Sequence, residues 1–282
     1  MATFNVSGAL IFTCAAALGL AYCSEQQTAM PADSISTVAA DSLSTTVYAS
    51  QNRPDVRGQI GAVSGGHPLA AQVGLRVLQD GGNATDAIIA MAGVLAVVRP
   101  HMNGIGGDAF GIFYDGETGE VTALNASGRA GALATPEFFA AAGVDRVPGV
   151  GSMSVSVPGA VAGWVDAHER YGSKDFAALL STGIDYARNG FAVSTRLAQD
   201  FEEQGQNLNE AGKSLYLPNE APPQVGSLLR NPQLANSLEI VADEGKKGFY
   251  NGSIAQKLSA FITEQGGYLR QDDFASHTST WV

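Results

Sequence analysis

The chain has 282 residues, 45% of them hydrophobic and 15% charged, and a chain of this length buries about 75% of its unfolded surface, which excludes general disorder. Its 34 glycines fall in clusters without a Gly-X-Y period, which excludes a collagen-like rod. With 16 basic against 27 acidic residues the net charge is -11, and no Lys/Arg run exceeds Lys246-Lys247, so nucleic acid is excluded as a partner.

Residues 1–24 carry no charged side chain, and Gly8 to Cys23 is nearly all apolar or small. This reads as a signal peptide, or as a lipoprotein signal or anchor. Leu20-Ala21-Tyr22-Cys23 resembles a lipoprotein cleavage site with Cys23 as the lipidated residue, so membrane anchoring would run through Cys23 or residues 8–23. Either route predicts an exported, periplasmic or extracellular protein. Residues 25–51, rich in Ser, Thr and Ala, read as a flexible tether, and the structured region is expected over 52–282. Both cysteines, Cys14 and Cys23, precede it, so it holds no disulfide and no thiolate metal site.

Within that region Ala62 to Gly66 reads as a short strand, and His67-Pro68 opens a helix through Gln79, with Pro in the first turn and His67 as its cap. Gly81-Gly82 ends it. Ala84 to Val98 reads as a helix apolar nearly all round and therefore buried on most sides. Ala109 to Tyr114 and Val121 to Asn125 flank the turn residues Asp115 to Glu120 and predict a β-hairpin. Ser152 to Val157 alternates with period two and predicts a strand. Helices are expected at Ala160–Tyr171, Asp175–Asn189, Thr195–Gln204, Pro232–Asp243 and Ser253–Gln265, and strand chemistry at Thr278–Val282. The class is α+β, with strands before a helix-rich second half.

Gly104-Ile105-Gly106-Gly107 offers backbone N–H groups that suit an anion or oxyanion, or else lets a buried helix turn sharply into the hairpin. It is neither GxGxxG nor a P-loop, which leaves nucleotide binding without support. Local chemistry favours the turn.

Several words occur in a fixed order: Gly65-Gly66-His67-Pro68-Leu69-Ala70, Gly81-Gly82-Asn83-Ala84-Thr85-Asp86-Ala87, Asn103-Gly104-Ile105-Gly106-Gly107-Asp108-Ala109-Phe110, Pro158-Gly159-Ala160-Val161-Ala162-Gly163-Trp164 and Ala187-Arg188-Asn189-Gly190-Phe191. Together they resemble the gamma-glutamyltransferase family, also called gamma-glutamyl transpeptidase or glutathione hydrolase, from about Gly61 to the end. The resemblance implies an N-terminal-nucleophile hydrolase, an αββα sandwich whose precursor cuts itself into a large and a small subunit. The new N-terminal Thr of the small subunit would attack a gamma-glutamyl amide, its α-amine serving as base. Backbone amides would hold the oxyanion, and water or an acceptor amine would resolve the acyl-enzyme. The implied partners are the small subunit of the same precursor, a gamma-glutamyl donor, and an amine or water acceptor. The family's Thr lies downstream of Val282, so the chain reads as most of a large subunit, incomplete as a sandwich and inactive alone.

The resemblance also implies one substrate-binding residue here, an Arg for the donor's α-carboxylate, and Arg129 in Asn125-Ala126-Ser127-Gly128-Arg129-Ala130 is the candidate. A planar guanidinium offers a bidentate fork to a carboxylate. A gapless comparison with the usual transpeptidase pattern puts Ser127 where that Arg would stand. Ser-Gly-Arg-Ala is more similar to the acylase-like branch, which makes a glutaryl or cephalosporin-acylase-like amide hydrolase the first alternative. A non-catalytic exported binding protein is the second.

No cofactor and no metal is predicted, since four scattered histidines without paired Cys or Glu do not form a metal site. His168 is expected to be exposed on its helix and Trp164 to pack in the core; Asp108 either orients a catalytic group or satisfies backbone N–H groups of its turn, and the second reading is favoured. Asn125 and Asn251 match the glycosylation pattern only weakly.

Overall fold

The computed structural model describes residues 9–11 and 56–282; the expected signal, Cys23 and the tether at 25–51 otherwise lie outside the described residues. Val63–Val282, with the Ala9–Ile11 strand, forms one compact unit. The other unit, Ala17–Ala62, is described only over 56–62, where there is no helix or strand.

A four-stranded sheet has the order β1 (Ala9–Ile11), β2 (Ala109–Tyr114), β3 (Val121–Ala126), β6 (Thr280–Trp281). All its pairings are antiparallel. The hairpin forms as expected, with Ala109 opposite Ala126 and Tyr114 opposite Val121. Its turn is closed by Asp115 Oδ1, which accepts the Glu117 and Thr118 amides at 2.8 and 3.3 Å. The terminal strand also forms, since Val282 and Ala123 exchange both backbone hydrogen bonds at 2.8 Å.

The two faces of this hairpin differ. Ala109, Phe113, Leu124 and Ala126 are buried, whereas Ile112, Tyr114 and Val121 are 47%, 44% and 62% exposed. The buried face packs against α4 (Ala160–Tyr171), whose Val161, Ala162 and Trp164 are in the core. Its far end is fixed by aromatics: Phe113 stacks on Tyr171 at 5.0 Å, and Trp281 lies 5.4 Å from Phe113 and 5.7 Å from Tyr171. Arg170 covers the Trp281 ring at 4.4 Å.

The remaining core is helical. α1 (Pro68–Gln79) packs on α2 (Ala84–Val98), α2 on α5 (Phe176–Asn189), and α5 on α8 (Pro232–Lys246). A Cβ on Gly183 would stand 2.7 Å from the Gly93 carbonyl oxygen, so α2 and α5 touch backbone to backbone. As expected, α2 is buried on most sides. Its start is closed by Asn83 and Asp86 in a reciprocal capping box. Asp86, with no exposed surface, also accepts the Ser173 amide and hydroxyl and the Lys174 amide, which ties α2 to the turn between α4 and α5. Those donors outweigh the effect of burial and hold its carboxyl below the usual range.

Two expected strands are corrected. Ala62 to Gly66 is extended with no ladder partner among the described residues, because a strand exists only where a neighbour takes its N–H and C=O groups. Ser152 to Val157 is a turn followed by extended chain. Its backbone amides make a local Ser154 to Gly151 contact and a Val157 N to Arg129 O bond, and the Ser152 hydroxyl donates to Gln265 O at 2.7 Å, which is not a ladder. Short helices absent from the sequence reading occur at α3 (Pro136–Ala141), capped by Thr135, and α7 (Glu210–Tyr216), capped by Asn209. α6 (Thr195–Gln204) forms as expected, and the Phe191–Ala192 and Leu228–Leu229 strands, β4 and β5, pair with each other. α8 runs past its expected end to a break at Gly245 and a π-turn at Lys247–Asn251, which buries Phe249 and Tyr250 ahead of α9 (Ser253–Glu264). α10 (Gln271–Ala275) precedes β6.

Candidate active-site surface

Three chain segments converge at the end of the hairpin away from its turn. The glycine-rich segment enters β2, Ser127-Gly128-Arg129 leaves β3, and Val157-Pro158-Gly159 enters α4. The Gly107 carbonyl accepts the Gly159 and Ala160 amides at 2.9 and 2.8 Å, so the glycine segment caps the start of α4. Val157 N donates to Arg129 O at 2.9 Å. The contacts leave no space for side chains: a Cβ on Gly128 would lie 1.6 Å from the Val157 carbonyl oxygen, and one on Gly159 2.0 Å from that of Ala126. Gly128 and Gly159 are therefore a packing requirement, whereas at Gly104, Gly106 and Gly107, between α2 and β2, a Cβ would meet nothing closer than 3.6 Å and no φ is positive.

Asp108 is bound into this junction. Its Oδ1 accepts the Gly128 amide at 2.7 Å and its Oδ2 the Ser127 hydroxyl at 3.3 Å. Hydrogen bonds to an ionised acceptor contribute about 1.5–3 kcal/mol. Asp108 does satisfy backbone, but the amide belongs to the opposite strand's exit and not to its own turn. Ser127 is itself held by Asn125 Oδ1, which accepts its amide at 2.9 Å. Arg129 is exposed, and its guanidinium makes no hydrogen bond or ion pair among the described residues. A cation presented in this way suits an anionic ligand.

Behind the junction lies Tyr250. Its buried hydroxyl donates to Pro158 O at 2.7 Å and accepts the Ala162 amide at 3.1 Å. Burial raises its phenol well above the ordinary value. His277 stacks on Tyr250 at 5.1 Å and 25°. Both His277 nitrogens are buried without a hydrogen-bond partner among the described residues. Burial, then the Arg129 charge, lowers its pKa against the opposing pull of Asp108 and Asp166. Asp166 in turn accepts the Ser279 hydroxyl and pairs with Lys246, which also reaches Glu169 at 3.5 Å.

The other histidines are structural. His67 caps α1 through Nδ1, which accepts the Leu69 amide at 3.2 Å, as expected. His168 is half-buried rather than exposed, because its Nε2 bonds the Lys174 carbonyl at 2.7 Å. His101 pairs with the buried carboxylate of Asp200 at 2.8 Å, and Arg196 reaches the same group at 2.8 Å. Arg99 lies 3.9 Å from Asp200 and donates to Gly66 O at 3.1 Å. This network borders a cavity of about 240 Å³ lined by Gly65, Leu95, Arg99, Asn103, Asp108 and Trp164, among others. The sequence reading missed it, since Arg99 and His101 lie far along the chain from Arg196 and Asp200. Among the described residues no group of His, Cys, Asp or Glu could hold a metal ion, and no helix is long and apolar enough to cross a membrane.

The helix-on-sheet arrangement is the N-terminal-nucleophile hydrolase fold shared with solved structures. The chain is similar to the gamma-glutamyltranspeptidase of Helicobacter pylori (32% identity, TM-score 0.76, covering 81% of this chain and 67% of that one). It is equally similar to a cephalosporin acylase of Bacillus halodurans (34%, TM-score 0.73, 83% and 46%). Residues 70–282 match the family model for gamma-glutamyltranspeptidase, and the chain belongs to that family. Among curated proteins it is 35% identical over 218 residues to the glutathione hydrolase-like YwrD proenzyme of Bacillus subtilis, covering 77% of this chain and 41% of that protein. The chain thus spans about two fifths of the length of such relatives.

Proposed function

We propose that the chain is the large-subunit part of an exported gamma-glutamyl hydrolase or transferase, in which Arg129 binds the donor's carboxylate. The observation that carries this is the exposed Arg129 guanidinium, unpaired among the described residues, on a backbone fixed at Gly128 and Val157. Catalysis falls to an N-terminal Thr supplied by the rest of the precursor. Its hydroxyl oxygen adds to the amide carbonyl, its proton passes through the α-amine to the leaving amine, and the acyl ester is then cleaved by water or an acceptor amine. The names of the curated relatives, proenzymes, support such processing. Support for a docked small subunit comes from the hairpin's partly exposed face, where Ile112, Tyr114 and Val121 present an apolar strip suited to a second sheet. Export rests on the uncharged, apolar residues 1–24, with Cys23 as the lipid site if the protein is anchored.

A glutaryl or cephalosporin-acylase-like activity is the second reading, favoured by Ser127. Where the transpeptidase pattern has its Arg, this chain has a short hydroxyl turned toward Asp108. Expression of the complete reading frame separates the readings. Self-cleavage into two chains and faster turnover of gamma-glutamyl than glutaryl anilide is expected from the first. Faster glutaryl turnover establishes the second, and an uncleaved, inactive product contradicts both. The chain ending at Val282 is expected to show no turnover by itself.

A further inference from the structure

We infer that Asp108 is the positioning residue of the donor-binding turn, its carboxylate fixing where Arg129 stands. The inference rests on the reading of Arg129 as the ligand of the donor carboxylate. Ala109 and Ala126 form the last pair of the hairpin ladder, so Asp108 and Ser127 face each other one step beyond it, where backbone pairing has ended. Without a further restraint the chain leaving β3 would splay at this point. Asp108 supplies that restraint by gripping two consecutive residues, Gly128 by its amide and Ser127 by its hydroxyl. On the far side Arg129 O accepts the Val157 amide, and Gly128 lies too close to Val157 for any side chain. The backbone of residue 129 is therefore held from both directions, and only its side-chain torsions remain to be set by a ligand. Ser127 belongs to the same device. Its short hydroxyl reaches the carboxylate's second oxygen at 3.3 Å, and the cation is carried two residues later.

A purely structural Asp108 would affect every substrate alike, whereas a positioning residue changes discrimination between donors with and without a carboxylate. The test uses the complete, self-processed protein with glutaryl p-nitroanilide and gamma-glutamyl p-nitroanilide against uncharged butyryl p-nitroanilide. Arg129→Ala is expected to lower the preference for the carboxylate donors about 10- to 100-fold. Asp108→Ala should lower it about tenfold, through KM with kcat little changed, and Asp108→Asn, which keeps an acceptor for the Gly128 amide, should restore most of it. In the Arg129→Ala background Asp108→Ala should add nothing. Equal losses on all donors, or full additivity with Arg129→Ala, would overturn the role of Asp108 while leaving Arg129 as the ligand. An unchanged preference in Arg129→Ala overturns the donor reading itself and the inference with it. Should Asp108→Ala fail to fold or process, Ser127→Ala removes a single hydroxyl from the clamp. A preference loss of about threefold that vanishes without Arg129 is then expected, and an unchanged preference overturns the inference.

Discussion

The Val157 carbonyl oxygen stands 1.6 Å from the place a Gly128 Cβ would take, so the exit from β3 and the entry to α4 meet as bare backbone. Neither side can retreat: Asp108 holds the Gly128 amide, and Gly107 holds the amides at the start of α4. Gly128→Ala in the full-length protein should therefore cost about 3 kcal/mol or more, or prevent folding. Soluble yield and the urea midpoint of the processed protein check this, and a midpoint near wild type would show that the junction yields.

Tyr250 links the same junction to the core. Tyr250→Phe keeps the ring and its stack on His277 but leaves the Pro158 carbonyl and the Ala162 amide without their partner. Because both groups are buried with the hydroxyl, the loss should be about 1–3 kcal/mol, read as a lower urea midpoint at unchanged slope.

Acid should weaken the fold through histidine. Burial is the first cause lowering the pKa of His67, His101 and His277 from 6.5, and nearby arginines add to it. A histidine with a lowered folded pKa is neutral in both states above 6.5. Its unfolded form takes up a proton first as pH falls, so stability is full above about 6.5 and declines below it toward the folded pKa. Unfolding midpoints from pH 8 to 5 should show this decline. His277→Phe, which keeps a ring against Tyr250, should flatten it in part, and an unaltered slope would remove His277 from the account.

Much of the helical layer was legible because its starts are chemically marked. Pro68 and Pro232 sit in first turns, Ser194 and Asn83 accept amides three residues on, and the predicted spans for α1, α2, α4 and α6 match those formed. The Thr135 and Asn209 caps carried the same signal and went unread because the helices they begin are too short to show a period. Ala62 to Gly66 and Ser152 to Val157 have strand chemistry without a ladder neighbour among the described residues, which composition cannot reveal. At the site, Arg129 and Asp108 stood out individually. The Asp108 to Gly128 bond spans 20 residues and the His101 to Asp200 pair 99, distances at which one sequence carries no pairing information.

The central claim, that this surface receives the carboxylate of an acyl donor on Arg129, is tested most directly by steady-state kinetics of the complete, self-processed protein and its Arg129→Ala variant. For gamma-glutamyl p-nitroanilide, KM should rise about 10- to 100-fold with kcat nearly unchanged, as expected for loss of a charged hydrogen-bonding partner used equally in ground and transition states. A KM equal to that of wild type would contradict it.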